Sequence, residues 1–322
     1  MDRLDPGQIG VPAYILGITR QIWEDRQVST LRQYYADDIP VRAPLGVVVG
    51  NEAVIAATLA TLAEFPDRQL LGEDVLWTGS TESGFLSSHR IVSTATHAGH
   101  GTYGPATGTT LRYRIIADCA IRGVEIYDEW IVRDQSAIVR QLGLDPRAYV
   151  LDQIEREGGP ETASRPLDPE SDPPARYTGT GNDDEWAVRY AETLRAVMSG
   201  DIAAVRTTYD RAAHLELPGG RTGHGWVDAE HFWLRLRGAF PNAAFEIHHQ
   251  MGAHEPLLAP RAALRWSLTG SHTGWGPFGE PTGAPAHIMG LSHAEFGPHG
   301  IRREYVLIDE VAIWKQILLY RS

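Results

Sequence analysis

The sequence predicts an α+β protein that contains two copies of one domain, each built from helices followed by a run of antiparallel strands. First, a glycine-rich segment at 97–108 returns at 272–283, and six of the twelve positions are identical. Chance would give about one identity over that length. Second, the same spacing of 175 residues (272 − 97) holds without a gap from position 34 to position 141 of the first copy. Third, both copies show helical periodicity first and strand-like alternation afterwards. A spacing of this length that occurs only twice indicates a duplicated domain rather than a solenoid.

The helical part of each copy is predicted from apolar residues that recur every three or four positions. Asp25 interrupts this pattern in the first copy and Gly200 in the second, and each break indicates a turn between two helices. The Phe-Pro pairs at 65–66 and 240–241 end the later helices, because proline cannot continue a helix. The predicted elements are a loose arm at 1–11, helices at 13–35 (broken near 25), a strand at 39–43 and a helix from 50 to about 64 in the first copy, and helices at 183–198 and 202–209, a strand at 214–217 and a helix after Gly225 in the second.

Four strand-like segments follow in each copy, and glycine-rich turns separate them as hairpins require. They are predicted at 70–78, 83–96, 110–121 and 124–132 in the first copy, and at 244–253, 261–269, 286–296 and 300–308 in the second. Between the copies, residues 155–182 are rich in proline, glycine and acidic residues and poor in apolar ones, which indicates an extended linker. The sequence therefore predicts domains at 1–154 and 183–322 that are joined by this linker.

The composition limits the classes of function. The 322 residues, 43% of them hydrophobic, suffice for two domains with their own cores. The formal net charge of −12, without a basic cluster, argues against nucleic acid and against a membrane surface as partners. The single cysteine, Cys119, cannot form an internal disulfide, and the start of the sequence lacks the pattern of a signal peptide, so we expect a cytoplasmic protein. The histidines lack metal-ligand spacing, and we expect no metal and no other cofactor.

Three ordered motifs carry a family resemblance. The segment Arg265–Gly274, the Pro-Thr-Gly at 281–283 and the strand pattern that ends in Asp134 or Asp309 resemble the motifs of SnoaL-like proteins, a group that includes polyketide cyclases and ester cyclases. The resemblance implies two cone-shaped α+β domains of the nuclear-transport-factor-like superfamily, a hydrophobic small-molecule substrate and a setting in secondary metabolism. Single-domain members commonly pair through their sheets. The resemblance therefore also implies an intramolecular pseudo-dimer of the two copies, with a homodimer as a further option.

In the family's cyclases the aspartate that ends this strand is the acid/base of an intramolecular aldol closure, a role that carries over to Asp309 and Asp134. Because side chains alternate along a strand, Tyr305 shares a face with Asp309, and Trp130 shares one with Asp134. If that face lines the cone, each carboxyl lies against an aromatic wall that raises its pKa, and Tyr305 and Trp130 contact the substrate. The alternative is that each aspartate only ends its strand and caps the segment that follows.

Four more residues are candidates for acid–base chemistry. His97 and His272 occupy equivalent positions in the glycine-rich turn, where each could donate a hydrogen bond or a proton at the mouth of a pocket. The structural alternative, a histidine that bonds the backbone of its turn, fits its presence in both copies. His293 and Glu295 alternate onto one face of their strand and could meet Asp309 across the sheet, where two carboxyls and an imidazole can run enolisation and reprotonation. The alternative is that both face solvent.

Arg265 and Trp275 complete the candidate substrate contacts, with Tyr305, Glu295 and Trp130. Arg265 could orient a carboxylate or an enolate oxygen, although such an arginine more often pairs with a surface acid. The copies differ at several of these positions, which suggests that one half catalyses and the other is its scaffold. We therefore expect a cofactor-independent enzyme with cyclase- or isomerase-type acid–base chemistry on a hydrophobic carbonyl or ester. The alternatives are a non-catalytic binding protein for apolar small molecules and a hydrolase or dehydratase on the same fold.

Overall fold

Helices precede a long sheet in each half of the chain. The structure, a computed structural model, describes residues 3–321. The first half contains helices α1 (Pro6–Ile9), α2 (Val11–Trp23), α3 (Leu31–Tyr34), α4 (Asn51–Glu64), α5 (Gln135–Gln141) and α6 (Pro146–Arg156), a 3₁₀ turn (Val28–Thr30), and strands β1 (Pro40–Ala43), β2 (Gly46–Val49), β3 (Gln69–Ser80), β4 (Gly84–Thr96), β5 (Thr110–Arg122) and β6 (Glu125–Arg133). The second half contains α7 (Glu185–Met198), α8 (Ala204–Thr208), α9 (Gly225–Ala239) and α10 (Glu310–Arg321), and strands β7 (Tyr209–Leu217), β8 (Arg221–His224), β9 (Ala244–Ala253), β10 (Arg261–Ser271), β11 (Pro285–Gly297) and β12 (Gly300–Ile308).

Both sheets have six strands in the same order. This order is β2-β1-β6-β5-β4-β3 in the first half and β8-β7-β12-β11-β10-β9 in the second. The four later strands of each half pair in antiparallel fashion, whereas β1 pairs with β6, and β7 with β12, in parallel. The sheets are therefore mixed, because the first strand of each half lies beside the last one after a long connection. The predicted α+β class with two tandem copies is confirmed.

Several short elements differ from the sequence prediction. The break predicted at Asp25 and Arg26 is present, and Arg26 adopts a positive φ of 59° there. Part of the predicted loose arm forms α1, because Asp5 accepts a hydrogen bond from the Gly7 N–H at its start. The first two residues of that arm lie outside the described residues. Helices α5, α6 and α10, which follow the long strands, were not predicted. No helix within residues 3–321 combines the length and apolar character that crossing a bilayer requires.

The two faces of each sheet have different neighbours. On β6, Glu129, Ile131 and Arg133 point towards the helices of the first half. The intervening Trp130 and Val132 belong to a cluster that includes residues of the second half. On β12 the parity is the same, since Val306 and Ile308 join the core of the second half and Leu307 joins the shared cluster. The face that carries Trp130 and Tyr305 therefore does not line its own cone.

The two halves pack sheet against sheet. The shared cluster contains residues of both, namely Leu76, Leu86, Ile116, Ala120, Trp130 and Val132 from the first half and Met251, Ala263, Met289, Leu291 and Leu307 from the second. Two equivalent contacts border it. Arg265 lies over the ring of Trp130 at 3.5 Å, and Arg90 lies over the ring of Tyr305 at 3.4 Å. These pairs correspond at the 175-residue spacing, so the halves face each other with approximate two-fold symmetry.

The segment between the halves is held against both of them. Arg42 forms a fully buried ion pair with Asp128 at 2.5 Å and a second one with Asp172 of the segment. The other Asp128 oxygen accepts the N–H groups of Arg176 and Tyr177. The segment whose polar composition indicated an extended linker therefore supplies backbone donors to the buried Asp128, and a carboxylate and a backbone carbonyl acceptor to the buried Arg42.

Candidate active site

Aromatic side chains fill the cone of the second half. Trp233 and Trp266 are fully buried there, with ring centroids 6.1 Å apart. A Cβ at Gly290 would lie 2.2 Å from the Trp266 ring, so the strand can pass the indole only as glycine. The equivalent positions in the first half hold smaller or differently shaped residues, namely Thr58 for Trp233, Ile91 for Trp266 and Ile115 for Gly290.

Glu304 lies at the centre of this filled cone. Its Oε1 accepts hydrogen bonds from the hydroxyls of Tyr190 at 2.8 Å and Tyr209 at 2.7 Å. The Trp233 indole in turn donates to the Tyr209 hydroxyl at 3.1 Å. Burial raises the pKa of Glu304 to about 7, against the opposing effect of the two hydroxyl donors. The carboxyl is thus surrounded by packed side chains of its own half.

The cone of the first half contains a cavity of about 220 Å³. Aliphatic residues of α2, α4, β1 and β6 form most of its wall. Its polar and charged lining residues are Tyr35, Thr58, Thr61, Glu129, Arg133, Gln135 and Asp309. A smaller compartment of about 80 Å³ shares part of this wall, including Trp23 and Glu129. It is further lined by Arg68 and His89.

Glu129 lies in the wall that the two compartments share. It is the counterpart of Glu304, and the Oε2 atom of each of these two glutamates has no hydrogen-bond partner within the described residues. Burial raises the pKa of Glu129 to about 7, although a hydrogen bond from Tyr35 and the charge of Arg133 favour the ionised form. A carboxyl with one unoccupied oxygen and a pKa near neutrality can accept or deliver a proton in this cavity.

Asp309 reaches the same cavity from the second half. It follows β12, and its Oδ1 accepts the Val311 N–H at 2.9 Å at the start of α10. Its Oδ2 accepts the side-chain N–H of Gln135 from the first half at 3.2 Å. Burial raises the pKa of Asp309 to about 7, and the nearby charge of Asp134 adds to this effect. The predicted carboxyl therefore lines a cavity, but that cavity belongs to the other half.

Two neighbouring residues set the electrostatics of the smaller compartment. Burial lowers the pKa of His89 to about 4, so its imidazole is neutral at pH 7. The Nδ1 atom of His89 has no hydrogen-bond partner within the described residues. Arg68 is fully buried beside it, with its guanidinium 4.1 Å from the centre of the Trp23 ring. The first cone therefore combines one cationic end with a carboxyl of raised pKa.

The family comparison agrees with this duplicated architecture. The family model of the SnoaL-like polyketide cyclases matches residues 13–142, and the model of the SnoaL-like domain matches residues 188–302. The chain belongs to the SnoaL-like family. Similar solved structures include wild-type IdmH, a putative polyketide cyclase from Streptomyces antibioticus, with 23% identity, a TM-score of 0.36 and coverage of 41% of this chain and 98% of that chain. Another is AclR, a putative hydroxylase from Streptomyces galilaeus, with 19% identity, a TM-score of 0.36 and coverage of 42% and 96%. No curated protein matches the chain in sequence.

In the first SnoaL-like domain, Asp134 is held by four hydrogen-bond donors. Its Oδ1 accepts from the Ser136 hydroxyl and from the N–H groups of Ala137 and Gly219, and its Oδ2 accepts from the Gly220 N–H. Asp134 thus caps α5 and joins the first domain to the β7–β8 turn of the second. It borders a separate cavity of about 330 Å³ between the halves, not the interior of its own cone.

The two turn histidines are buried in equivalent environments. The Nδ1 atom of His97 lies 3.1 Å from the Thr107 hydroxyl, and that of His272 lies 3.2 Å from the Thr282 hydroxyl. His97 also lies 3.3 Å from a carboxylate oxygen of Glu64. Neither histidine lines the cavity in the first SnoaL-like domain. Each imidazole thus contacts a threonine hydroxyl of its own turn, whereas the structural alternative placed the bond at the backbone of the turn.

His293 and Glu295 face the first domain rather than solvent. His293 is buried, with Nε2 2.8 Å from the Ser88 hydroxyl and Nδ1 3.4 Å from the Arg90 guanidinium. Burial and the charge of Arg90 hold the pKa of His293 well below its usual value. Glu295 accepts a hydrogen bond from Arg90 at 3.4 Å. Neither residue lines the cavity that Asp309 reaches, because their strand face is covered by the opposite sheet.

The remaining candidates for substrate contact lie between the domains or on the surface. Arg265 lies over Trp130 and 3.9 Å from Asp118, and Tyr305 is covered by Arg90. Arg265 and Trp130 border a cavity of about 460 Å³ under the linker. Trp275 is 71% exposed at the tip of its turn and contributes nothing to the first cone.

Sequence reasoning missed the residues that line the first cone, namely Glu129, Arg133, His89 and Arg68. One signal was present, since Glu129 and Glu304 are identical at the 175-residue spacing. This identity does not show whether the glutamate points into the cone. Apolar residues occupy both faces of β6 and β12, so the sequence does not reveal which face of the strand points inwards. The choice between the faces depended on the packing of the two domains.

Proposed function

We propose that the first SnoaL-like domain is the catalytic one and that its cavity binds a hydrophobic carbonyl or ester compound for cofactor-independent acid–base chemistry. One observation carries this proposal. Glu129 and Asp309, two carboxyl groups with pKa values raised to about 7, line one largely aliphatic cavity. Carboxyls tuned in this way act as general acids and bases near neutral pH.

In the proposed cyclisation, ionised Glu129 removes a proton from a carbon next to a carbonyl group. The enolate carbon then attacks a second carbonyl carbon of the same molecule and forms the new C–C bond. The electron pair of that carbonyl moves to its oxygen, which takes a proton from protonated Asp309. Arg133, whose Nε has no hydrogen-bond partner within the described residues, stabilises the developing negative charge. An isomerisation uses the same proton transfers without the bond formation.

The other predicted catalytic residues have supporting roles in this proposal. His97 and His272 hold the glycine-rich turns, and His293 packs between the sheets. Asp134 joins the two domains, since its carboxylate accepts hydrogen bonds from residues of both. Catalysis by one domain and support by the other explains why the cones have diverged.

The test compares equivalent glutamates. Turnover of a panel of aromatic keto-esters and the corresponding keto-acids is measured for the wild type, Glu129→Gln and Glu304→Gln. We expect Glu129→Gln to lower kcat by about 100-fold or more, the usual effect of losing a general base. Glu304→Gln should leave kcat unchanged, since Glu304 lies in the filled cone. Equal kcat values for Glu129→Gln and the wild type would exclude Glu129 as the base. Tight binding of the panel without any turnover would favour the non-catalytic binding protein.

A further inference from the structure

The inner end of the first cone contains a buried positive charge that has no counter-ion. Arg68 is only 1% exposed, and its Nε donates to the Ser93 hydroxyl at 3.1 Å. Its two terminal nitrogens have no partner with hydrogen-bond geometry within the described residues, and the nearby Tyr113 hydroxyl, which favours the charged form, is a neutral group. The rings of Trp23 and Tyr113 lie 4.1 and 5.8 Å from the guanidinium, but neither ring carries a negative charge. Among the ion pairs of residues 3–321, none includes Arg68.

The guanidinium stays charged in this environment. Burial lowers the pKa of Arg68 to about 10, and the positive charge of Arg133 contributes to this effect. At pH 7 the group therefore remains protonated. Burying such a charge without a partner is unfavourable, and proteins normally pair buried charges. The absence of a protein partner points to a partner that arrives with the ligand.

The compartment in front of Arg68 has room for an anionic group. Its volume is about 80 Å³, and it shares Trp23, Glu129 and Arg133 with the larger cavity. One buried water needs about 10 to 15 Å³ of such space, so a group of several heavy atoms fits. A ligand whose apolar body occupies the larger cavity can therefore extend one end to Arg68.

We propose that Arg68 forms an anion subsite and that the substrate of this cavity carries a carboxylate at the end opposite its reacting carbonyl. The two free terminal nitrogens suit the two oxygens of a carboxylate, since arginine binds this group in a bidentate manner. This inference rests on the proposed function only in placing the ligand in the first cone. A charged subsite at Arg68 selects keto-acids over the neutral esters that the same cavity would otherwise admit.

Binding of matched probes tests the subsite without any need for turnover. The probes are 4-phenylbutanoate and its neutral counterpart 4-phenylbutanamide, with dissociation constants measured by calorimetry. The wild type should prefer the carboxylate by about tenfold or more, which corresponds to one charged hydrogen bond. Arg68→Met should abolish this preference, and Arg68→Lys should keep part of it. Arg206→Met is the matched control, because Arg206 pairs with Glu230 on the exposed surface of the second domain.

Thermal unfolding without ligand separates a ligand-binding arginine from a structural one. Arg68→Met should keep or raise the midpoint, because it removes a buried charge that no protein group compensates. A large drop in the midpoint together with an unchanged carboxylate preference would assign Arg68 a structural role. Absence of the preference in the wild type, including the case in which neither probe binds, overturns the proposal. Loss of turnover in Glu129→Gln concerns proton transfer only, so the two proposals can fail independently.

Discussion

Glu129 and Glu304 are the same residue at the same position of the two domains, but their surroundings differ. Two tyrosine hydroxyls and packed aromatic rings surround Glu304. Each glutamate has one oxygen without a hydrogen-bond partner within the described residues, but only Glu129 lies beside a cavity. The identity of a residue therefore does not determine its role here. The shape of the neighbouring side chains decides whether a buried carboxyl is a packed polar group or a reactive one.

The raised pKa of Glu304 predicts how its replacement affects stability. The pKa is about 7 in the folded protein and near 4.5 when unfolded, so the folded state binds more protons between these values. The contribution of Glu304 to stability is therefore favourable at low pH and is lost as the pH rises through about 7. Glu304→Gln removes this dependence. The stability of the variant minus that of the wild type should therefore be larger at about pH 8 than at about pH 5.5. At the higher pH the wild type buries a charged carboxylate, and the variant does not.

Thermal unfolding of both proteins at the two pH values measures this difference. The comparison between variant and wild type cancels the contribution of the buried histidines, whose lowered pKa values act in the opposite direction. A difference in midpoint that stays constant with pH would show that the folded pKa of Glu304 is not raised.

At the scale of elements, the side chains that the helices and strands direct inwards decide whether a cavity reaches the buried glutamate. On α4 the inward position 58 is a threonine, whereas its counterpart on α9 is Trp233. Strand β10 contributes Trp266, where β4 has Ile91. The same backbone thus leaves a cavity beside the buried glutamate in the first copy and packed side chains around it in the second, because large aromatic residues occupy that volume there.

Filling the first cone should remove its binding capacity. Thr58→Trp introduces the aromatic side chain that the second domain has at this position, and Thr58 lines the 220 Å³ cavity. We expect binding of 4-phenylbutanoate to weaken by about tenfold or more, because the ring competes for the same volume. Leu59→Trp on the exposed side of α4 is the matched control, since Leu59 is 53% exposed. Equal affinities of the two variants, with both folded, would mean that the probe binds elsewhere.

At the scale of the whole molecule, the two domains share one interface core. Leu291 of the second domain is fully buried in it, beside residues of both sheets. Asp309 crosses to the cavity of the first domain, and Asp134 crosses to a turn of the second. The cavity proposed as the active site is therefore incomplete without the second domain.

A charge in this interface should uncouple the domains. The wild type should unfold in one cooperative calorimetric transition, because its domains bury a common apolar surface. Leu291→Asp places an unpaired carboxylate there and should destabilise the protein by about 3 kcal/mol or more. It should also split the transition into two. Leu234→Asp is the control, since Leu234 is 48% exposed on α9. A single, unshifted transition for Leu291→Asp would argue against a shared core.

The sequence by itself determined the duplication, the α+β class and most of the long strands. Strands β9 and β12 were predicted with the observed bounds, and β5 within one residue at its end. Local periodicity and glycine-rich turns carry this information, and both are present in the linear chain. The SnoaL-like family was also evident, because its motifs lie on contiguous strands and turns.

Only the tertiary structure decided which face of each strand points into a cone. In an isolated domain the outer face would be polar, but here the opposite sheet covers it with residues such as Trp130 and Leu307. Apolar residues therefore occupy both faces of β6 and β12, and the alternation that normally identifies the inner face is absent. The family motif identified Asp309 as a candidate from the sequence. The identification of Glu129 as its partner, and of the first domain as the owner of the cavity, required knowing how the two sheets pack.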